Sequence, residues 1–171
     1  MLIRLKTPLT DGDVDRMKVG VQIELEGIIY CGRDAVLPKL VSLIEAEDLE
    51  SIGMDLRGAV IFHTAFSPAG IGPTTSNKVE IEGSMPTLSR AGVRLHIGKG
   101  ALGRNTMEEL RRHRSVFAIT PPVTALFSDK IVSHRIAAFP NEGMEALYEV
   151  RVRSFPAIVA VAHGESIFKP A

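Results

Sequence analysis

Hydrophobic and polar positions change period several times along the chain, and each change predicts an element. Leu2 to Leu5 predict an opening strand, and Thr10-Asp11-Gly12-Asp13 has the form of a helix cap leading into a short polar helix that ends near Gly20. Val21, Ile23 and Leu25 alternate with polar residues, then Ile28-Ile29-Tyr30 runs apolar, so a strand is expected that becomes buried on both sides and delivers Cys31-Gly32-Arg33-Asp34. Val36, Leu40, Leu43 and Ile44 recur at helical spacing, with Pro38 tolerable only near the helix start. Ala59 to His63 read as a buried strand, and the stretch from Thr64 to Thr75, rich in Gly, Pro, Ser and Thr, reads as a loop. Val93 to Ile97 predict another strand running into Gly98-Lys99-Gly100, followed by a helix with a cap signal at Asn105-Thr106-Met107-Glu108. Val116 to Ile119, Ile131 to Ala138, Ala146 to Val152 and Ala157 to Ala162 predict strands in the second half, and no internal repeat is visible. Interleaved strands and helices early, with strands clustered late, fit a mixed α/β domain better than a bundle or sandwich.

Three polar clusters flanked by glycine each follow an apolar strand: Gly32-Arg33-Asp34, Gly72-Pro73-Thr74-Thr75-Ser76-Asn77-Lys78 and Gly98-Lys99-Gly100. The carboxyl ends of strands in α/β folds commonly converge, which would bring Arg33, Thr74, Lys78 and Lys99 together. Three cations and a hydroxyl suit a small polycarboxylate, because Arg grips a carboxylate in a bidentate fork and Lys adds a compact charge. Taken singly, each cluster has a plainer reading: an ion pair or helix cap at Arg33-Asp34, turn and cap hydrogen bonds at Thr74-Thr75, a solvated turn at Lys99. Gly98-Lys99-Gly100 is no phosphate-binding P-loop, since no Ser or Thr follows the lysine. The five histidines show no pair at metal-ligand spacing and read as core or surface positions; His63, ending a strand beside the Thr-rich loop, is the one placed to hydrogen-bond a substrate. Neither a Ser-His-Asp arrangement nor a GxSxG elbow nor a dinucleotide fingerprint is present, which argues against a self-sufficient hydrolase or dehydrogenase.

Composition narrows the choice. The chain has 171 residues, the size of one domain (1–171), with 45% hydrophobic residues, as in ordinary globular proteins. Lys and Arg number 20, as do Asp and Glu, so no net basic field exists to attract nucleic acid or anionic lipid. No stretch has the form of a signal peptide or membrane span, which predicts a cytoplasmic protein. Cys31 is the single cysteine, so this chain can build neither an internal disulfide nor an iron–sulfur site from its own thiolates.

Together, Arg33-Asp34-Ala35, Gly72-Pro73-Thr74-Thr75-Ser76 and Ile97-Gly98-Lys99-Gly100 resemble, in this order, the C-terminal domain or separate beta subunit of class I fumarase and L(+)-tartrate dehydratase. Gly143-Met144-Glu145-Ala146-Leu147, Phe155 to Ala160 and His163-Gly164 are similar to that family's closing region, so the resemblance covers most of the chain. It implies a swivelling β/β/α domain, a mixed sheet with flanking helices that closes over an alpha subunit. That partner's three cysteines would hold a four-iron four-sulfur cluster, with none bound by this chain. It also implies a hydro-lyase active only with the alpha subunit as a hetero-oligomer, with a homodimer open to the isolated chain. The reaction implied is reversible hydration of fumarate to malate, with tartrate dehydration as the alternative. Thr74 would be the catalytic base, and Arg33, Lys78, Lys99, Thr75 and Asp34 would bind the substrate. Three positions depart from the family pattern: Lys78 stands where Arg is usual, Leu37-Pro38 where His is frequent, and Thr120 to Ala125 where a Gly-Gly-Ala-Ala-like turn is common. They leave open a divergent substrate or a paralogue kept as a non-catalytic, anion-binding scaffold.

Overall fold

A computed structural model of the chain describes residues 1–67, 70–74, 78–121 and 129–168. The opening strand β1 (Leu2–Lys6) runs parallel to β2 (Gln22–Gly32), with helix α1 (Asp11–Arg16) between them. Thr10 caps α1 reciprocally: its hydroxyl accepts from the Asp13 amide at 3.1 Å, and the Asp13 carboxylate accepts from the Thr10 amide at 2.9 Å. Helix α2 (Leu37–Glu45) has Pro38 in its first turn and buries Leu37 and Leu40. Strand β3 (Val60–Ser67), β4 (Gly70–Thr74), helix α3 (Lys78–Arg90), β5 (Leu95–Gly98), helix α4 (Arg104–Arg112) and β6 (Val116–Ile119) follow. The remaining strands are β7 (Ile131–Ala138), the sixteen-residue β8 (Leu147–Ala162) and β9 (Glu165–Ser166).

Hydrogen bonding closes the sheet into a ring. Strand β2 pairs with β3, β3 with β5 and β5 with β6, all parallel; β6 then pairs antiparallel with β8, and β8 returns antiparallel to β2. Alternate residues point inward. Ile23, Leu25, Ile29 and Cys31 of β2 meet Val60 and Phe62 of β3, Leu95 and Ile97 of β5 and Val116 and Ala118 of β6 in one buried cluster. Phe62 and Phe155 pack edge to face there, with ring centroids 5.9 Å apart. Burial of each such side chain contributes about 1.5–3 kcal/mol relative to exposure.

Strand β8 changes phase partway along. Val150 and Val152 face the interior, as do Phe155, Ala157 and Val159. The even-to-odd switch follows from a bulge: between Leu25↔Phe155 and Gly27↔Val152, β8 uses one residue more than β2. Ser154 absorbs it at φ 51. That switch divides one continuous strand into two patterns in the sequence, where separate strands over 146–152 and 157–162 are expected.

Two further expectations change. The stretch from Thr64, read as a loop, begins with the end of β3 and folds back as β4, with Thr64 opposite Thr74. Helix α4 starts two residues earlier than its sequence signal, with Gly103 at the cap and no side-chain cap bond; the Glu82 carboxylate of α3 accepts the Gly103 amide instead.

The outer wall of the ring carries the helices. Ile61 packs with Val36, Leu40 and Leu88 beneath α2 and α3, and Phe117 packs with Ile81, Met85 and Leu110 beneath α3 and α4. The result is a mixed α/β architecture, a sheet with flanking helices.

Candidate active site at the carboxyl edge of the ring

Because β2, β3, β5 and β6 are parallel, their carboxyl ends share one edge. Gly32 pairs with His63, Phe62 with Ile97 and Gly98 with Ile119, so Arg33, Thr64, Lys99 and Thr120 stand at or just past the same level. The pairing of Thr64 with Thr74 brings the Thr74 backbone to that level too. At about 4.8 Å per strand, Arg33 and Lys99 leave the sheet about 10 Å apart. Convergence of these segments, expected from the sequence, is therefore met for Arg33, Lys99 and the Thr74 backbone. Lys78 is placed by its backbone as the first residue of α3, and Thr75 lies outside the described residues.

Gly32 makes this exit possible. A Cβ there would lie 2.8 Å from the Val36 side chain and 2.9 Å from that of Leu147, so the chain can turn into Arg33 against α2 and β8 only with no side chain at that point.

Arg33 grips a carboxylate, and it is one of the chain's own. Its Nε donates to Glu145 Oε2 at 3.1 Å and its Nη2 to Oε1 at 2.7 Å, the bidentate fork expected of Arg. Both side chains are about one-third exposed, at 29% and 33%. The hydrogen bond to Glu145 raises the Arg33 pKa above its ordinary value. The same turn, Pro140–Glu145, presents Glu142 to Lys39 of α2, so two ion pairs tie the segment before β8 to the segment after β2. Sequence reasoning placed Glu145 in a family motif without seeing its partner, 112 residues away. Asp34 and Lys99 are exposed at the edge.

A second polar grouping lies beneath the edge, on the helix-covered face. His63 Nε2 and His96 Nδ1 are 3.1 Å apart, and His96 Nε2 lies 2.9 Å from the Ser89 hydroxyl of α3. Ser89 donates to Ser115 at 3.1 Å, and Ser115 donates to the Val93 carbonyl at 2.6 Å. All four side chains are buried. Burial lowers the His63 pKa to about 3 and pushes His96 well below its ordinary value, with His63 adding to the effect. Both rings are neutral near pH 7. The sequence, which showed no histidine pair at ligand spacing, gave no sign of this contact.

On the interior side of the edge, Tyr148 lies beside Cys31 on the neighbouring strand, and its ring centroid is 5.0 Å from that of Phe66, whose ring in turn meets that of His134 at 5.0 Å, tilted by 59°. Cys31 is enclosed, and burial pushes its thiol pKa up, leaving an inert side chain rather than a thiolate ligand. Among the described residues no group of three His, Cys, Asp or Glu side chains is arranged to hold a metal ion. Nor is any described helix long and apolar enough to cross a membrane. A cleft of about 390 Å³ lies elsewhere, between β1, Glu24 to Glu26 of β2 and the Arg153–Ser154 bulge; its cations Arg4, Lys6 and Arg153 stand among Glu24 and Glu26.

The sequence profile of the family described as Fumarase C-terminus matches residues 1–171. The L(+)-tartrate dehydratase subunit beta of Escherichia coli K12 is 30% identical over 95% of this chain and 85% of its own length. A Geobacillus stearothermophilus protein provisionally named fumarate hydratase class I is 29% identical over 97% of this chain and 33% of its own length. The anaerobic class I fumarate hydratase of E. coli K12 is 25% identical over 93% of this chain and 30% of its length. The chain thus spans about a third of these fumarate hydratases and most of the tartrate dehydratase subunit.

Proposed function

Since this chain belongs to the fumarase C-terminal domain family, we propose that it is the beta subunit of a heteromeric hydro-lyase that reversibly dehydrates a hydroxy-dicarboxylate, (S)-malate to fumarate before L(+)-tartrate. The observation that carries this reading is the register that sets Arg33, Lys99 and the Thr74 backbone at one edge of the ring. The match to nearly the full length of a separate beta subunit supports a two-chain enzyme with an alpha subunit as partner.

In this reading the ring and its helices form a swivelling β/β/α domain whose carboxyl edge closes over that partner. Arg33, held in orientation by Glu145, binds a substrate carboxylate, Lys99 and Lys78 supply further positive charge, and Thr75 and Asp34 are further substrate-binding groups. Thr74 removes the proton on the carbon next to a carboxylate. A hydroxyl is a poor base in water, so the reaction needs closely placed cations and exclusion of solvent on closure. One enclosed cysteine is a donor set that does not fit an iron–sulfur cluster, so the four-iron four-sulfur cluster is assigned to the partner.

Anaerobic co-expression with an alpha subunit carrying three cluster cysteines, followed by assays with fumarate, malate and tartrate, tests the reading. The complex should interconvert at least one hydroxy-dicarboxylate with its dehydrated product. A stable, cluster-loaded complex inert towards all of them would contradict it and would favour an anion-binding scaffold.

A further inference from the structure

The hydrogen-bond string on the helix-covered face has one possible polarity. A carbonyl can only accept, so the single Ser115 hydroxyl proton is committed to Val93. Ser89 then donates its proton to Ser115, which leaves Ser89 as acceptor for a proton on His96 Nε2. Neutral His96 is therefore bare at Nδ1 and accepts from a proton on His63 Nε2. Neutral His63 is in turn bare at its own Nδ1. That atom is buried and has no hydrogen-bond partner among the described residues.

The string also has a direction in the fold. It starts near the amino-terminal ends of β5 and β6, at Val93 and Ser115, and passes through His96, which pairs with Ile61. It ends at His63, two residues further towards the carboxyl edge and paired with Gly32, the residue before Arg33. With Nε2 directed at His96, the unpaired Nδ1 faces away from the string, on the residue that precedes the Thr64–Thr74 pair. An unsatisfied buried acceptor costs about 1–3 kcal/mol. Four buried side chains are arranged so that this cost falls on one nitrogen, next to the edge where the substrate groups converge.

We infer that His63 Nδ1 is a further binding position of the site, a nitrogen locked as an acceptor that receives a neutral hydroxyl when the site is complete. The inference rests on the hydroxy-dicarboxylate reading above, because malate and tartrate bring such a hydroxyl and fumarate does not. An ordered water held on closure offers the same chemistry. A cation or a carboxylate does not suit the position, since the nitrogen is enclosed and has no proton to give. His63 is thus a positioning residue, and its fixed tautomer is the work of His96, Ser89 and Ser115.

Nitrogen-15 spectra of histidine-labelled full chain, alone and in complex with its alpha subunit, test this. In the chain alone both His63 and His96 should be neutral, protonated at Nε2 and bare at Nδ1. Addition of malate or L-tartrate to the complex, but not fumarate, should move the His63 Nδ1 resonance if the donor is a substrate hydroxyl; a shift on assembly alone identifies a water. A proton on His63 Nδ1, or no shift under any condition, would overturn the inference. In the complex, His63→Gln keeps a donor to His96 and loses the Nδ1 acceptor. It should raise KM for malate or tartrate about tenfold, as expected for one lost hydrogen bond, and leave KM for fumarate unchanged. His63→Asn, which can present an oxygen near the Nδ1 position, should recover part of the loss. An active complex indifferent to His63→Gln would refute the inference and leave the proposed activity standing. An inactive complex with the predicted tautomer and assembly shift would do the reverse.

Discussion

The interior of the strand ring and the part of its outer wall beneath the helices are both buried, yet they are built from different chemistry. Inside, Ile, Leu, Val, Ala, Met and Phe fill the space, and among the described residues the polar groups there include the Cys31 thiol and the Tyr148 and Thr64 hydroxyls near one end. Outside, beneath α3, the fold buries His63, His96, Ser84, Ser89 and Ser115 among apolar neighbours. The interior follows the free energy of transfer from water, under which any well-packed apolar set would serve. The outer face accepts polar groups and one unpaired nitrogen, which transfer energy alone would remove. Groups retained at a cost, next to an edge where charges converge, point to function at that edge rather than in the barrel.

Substitutions on the two faces should therefore separate stability from activity. The largest effect belongs to the edge: in the reconstituted complex Thr74→Ala should lower turnover about 10²–10⁴-fold, the range for a lost acid–base group. Its melting temperature and assembly should stay as in wild type. Phe155→Ala in the interior should do the opposite, costing about 3–5 kcal/mol in urea unfolding of the chain, while the complex that does form keeps its turnover. Equal loss of activity and stability in both variants would erase the distinction.

Acid should find the outer face first. The folded His63 takes no proton until pH falls to about 3, whereas the unfolded ring does so near its ordinary value of 6.5, and His96 is shifted in the same direction. Stability from these rings is complete above about pH 6.5 and falls as pH drops below it, by up to about 1.4 kcal/mol per pH unit for each histidine. Urea midpoints measured from pH 7 to pH 5 should show this slope, and His63→Gln should reduce it by about half. A conservative interior change such as Val159→Ile should leave the slope as it is.

The smallest effect concerns the Arg33–Glu145 pair, about one-third exposed. Glu145→Gln should change stability by less than about 1 kcal/mol. It should raise the substrate KM severalfold, through a less well-oriented Arg33, with little change in kcat. Unfolding curves and steady-state kinetics on the same preparation check both halves.

Periodicity made β1, β2, α1 and α2 legible because their signals are local: alternation, a capping box, a proline in the first turn. Ring closure was not, since it depends on β8 returning to β2 after more than a hundred residues. The phase switch at Ser154 hid β8 as a single strand, and the Gly, Pro and Thr content of Gly70–Thr74 hid β4. Helix α3 carries Gly83 and Pro86 and has no strong apolar stripe, so its pattern gave no helix signal. At the site, the resemblance picked out Arg33, Thr74 and Lys99 through their motifs. Glu145 and His96 were missed as partners because they meet Arg33 and His63 only through the fold, 112 and 33 residues away in sequence.

The proposed function requires this chain to supply groups without which its partner cannot turn over substrate. Its most direct test is the anaerobic rate of fumarate hydration and tartrate dehydration by the purified alpha subunit, measured before and after addition of this chain. The alpha subunit alone should show no turnover, and turnover should rise with added chain to saturation at a fixed ratio. An alpha subunit equally active without the chain would contradict it.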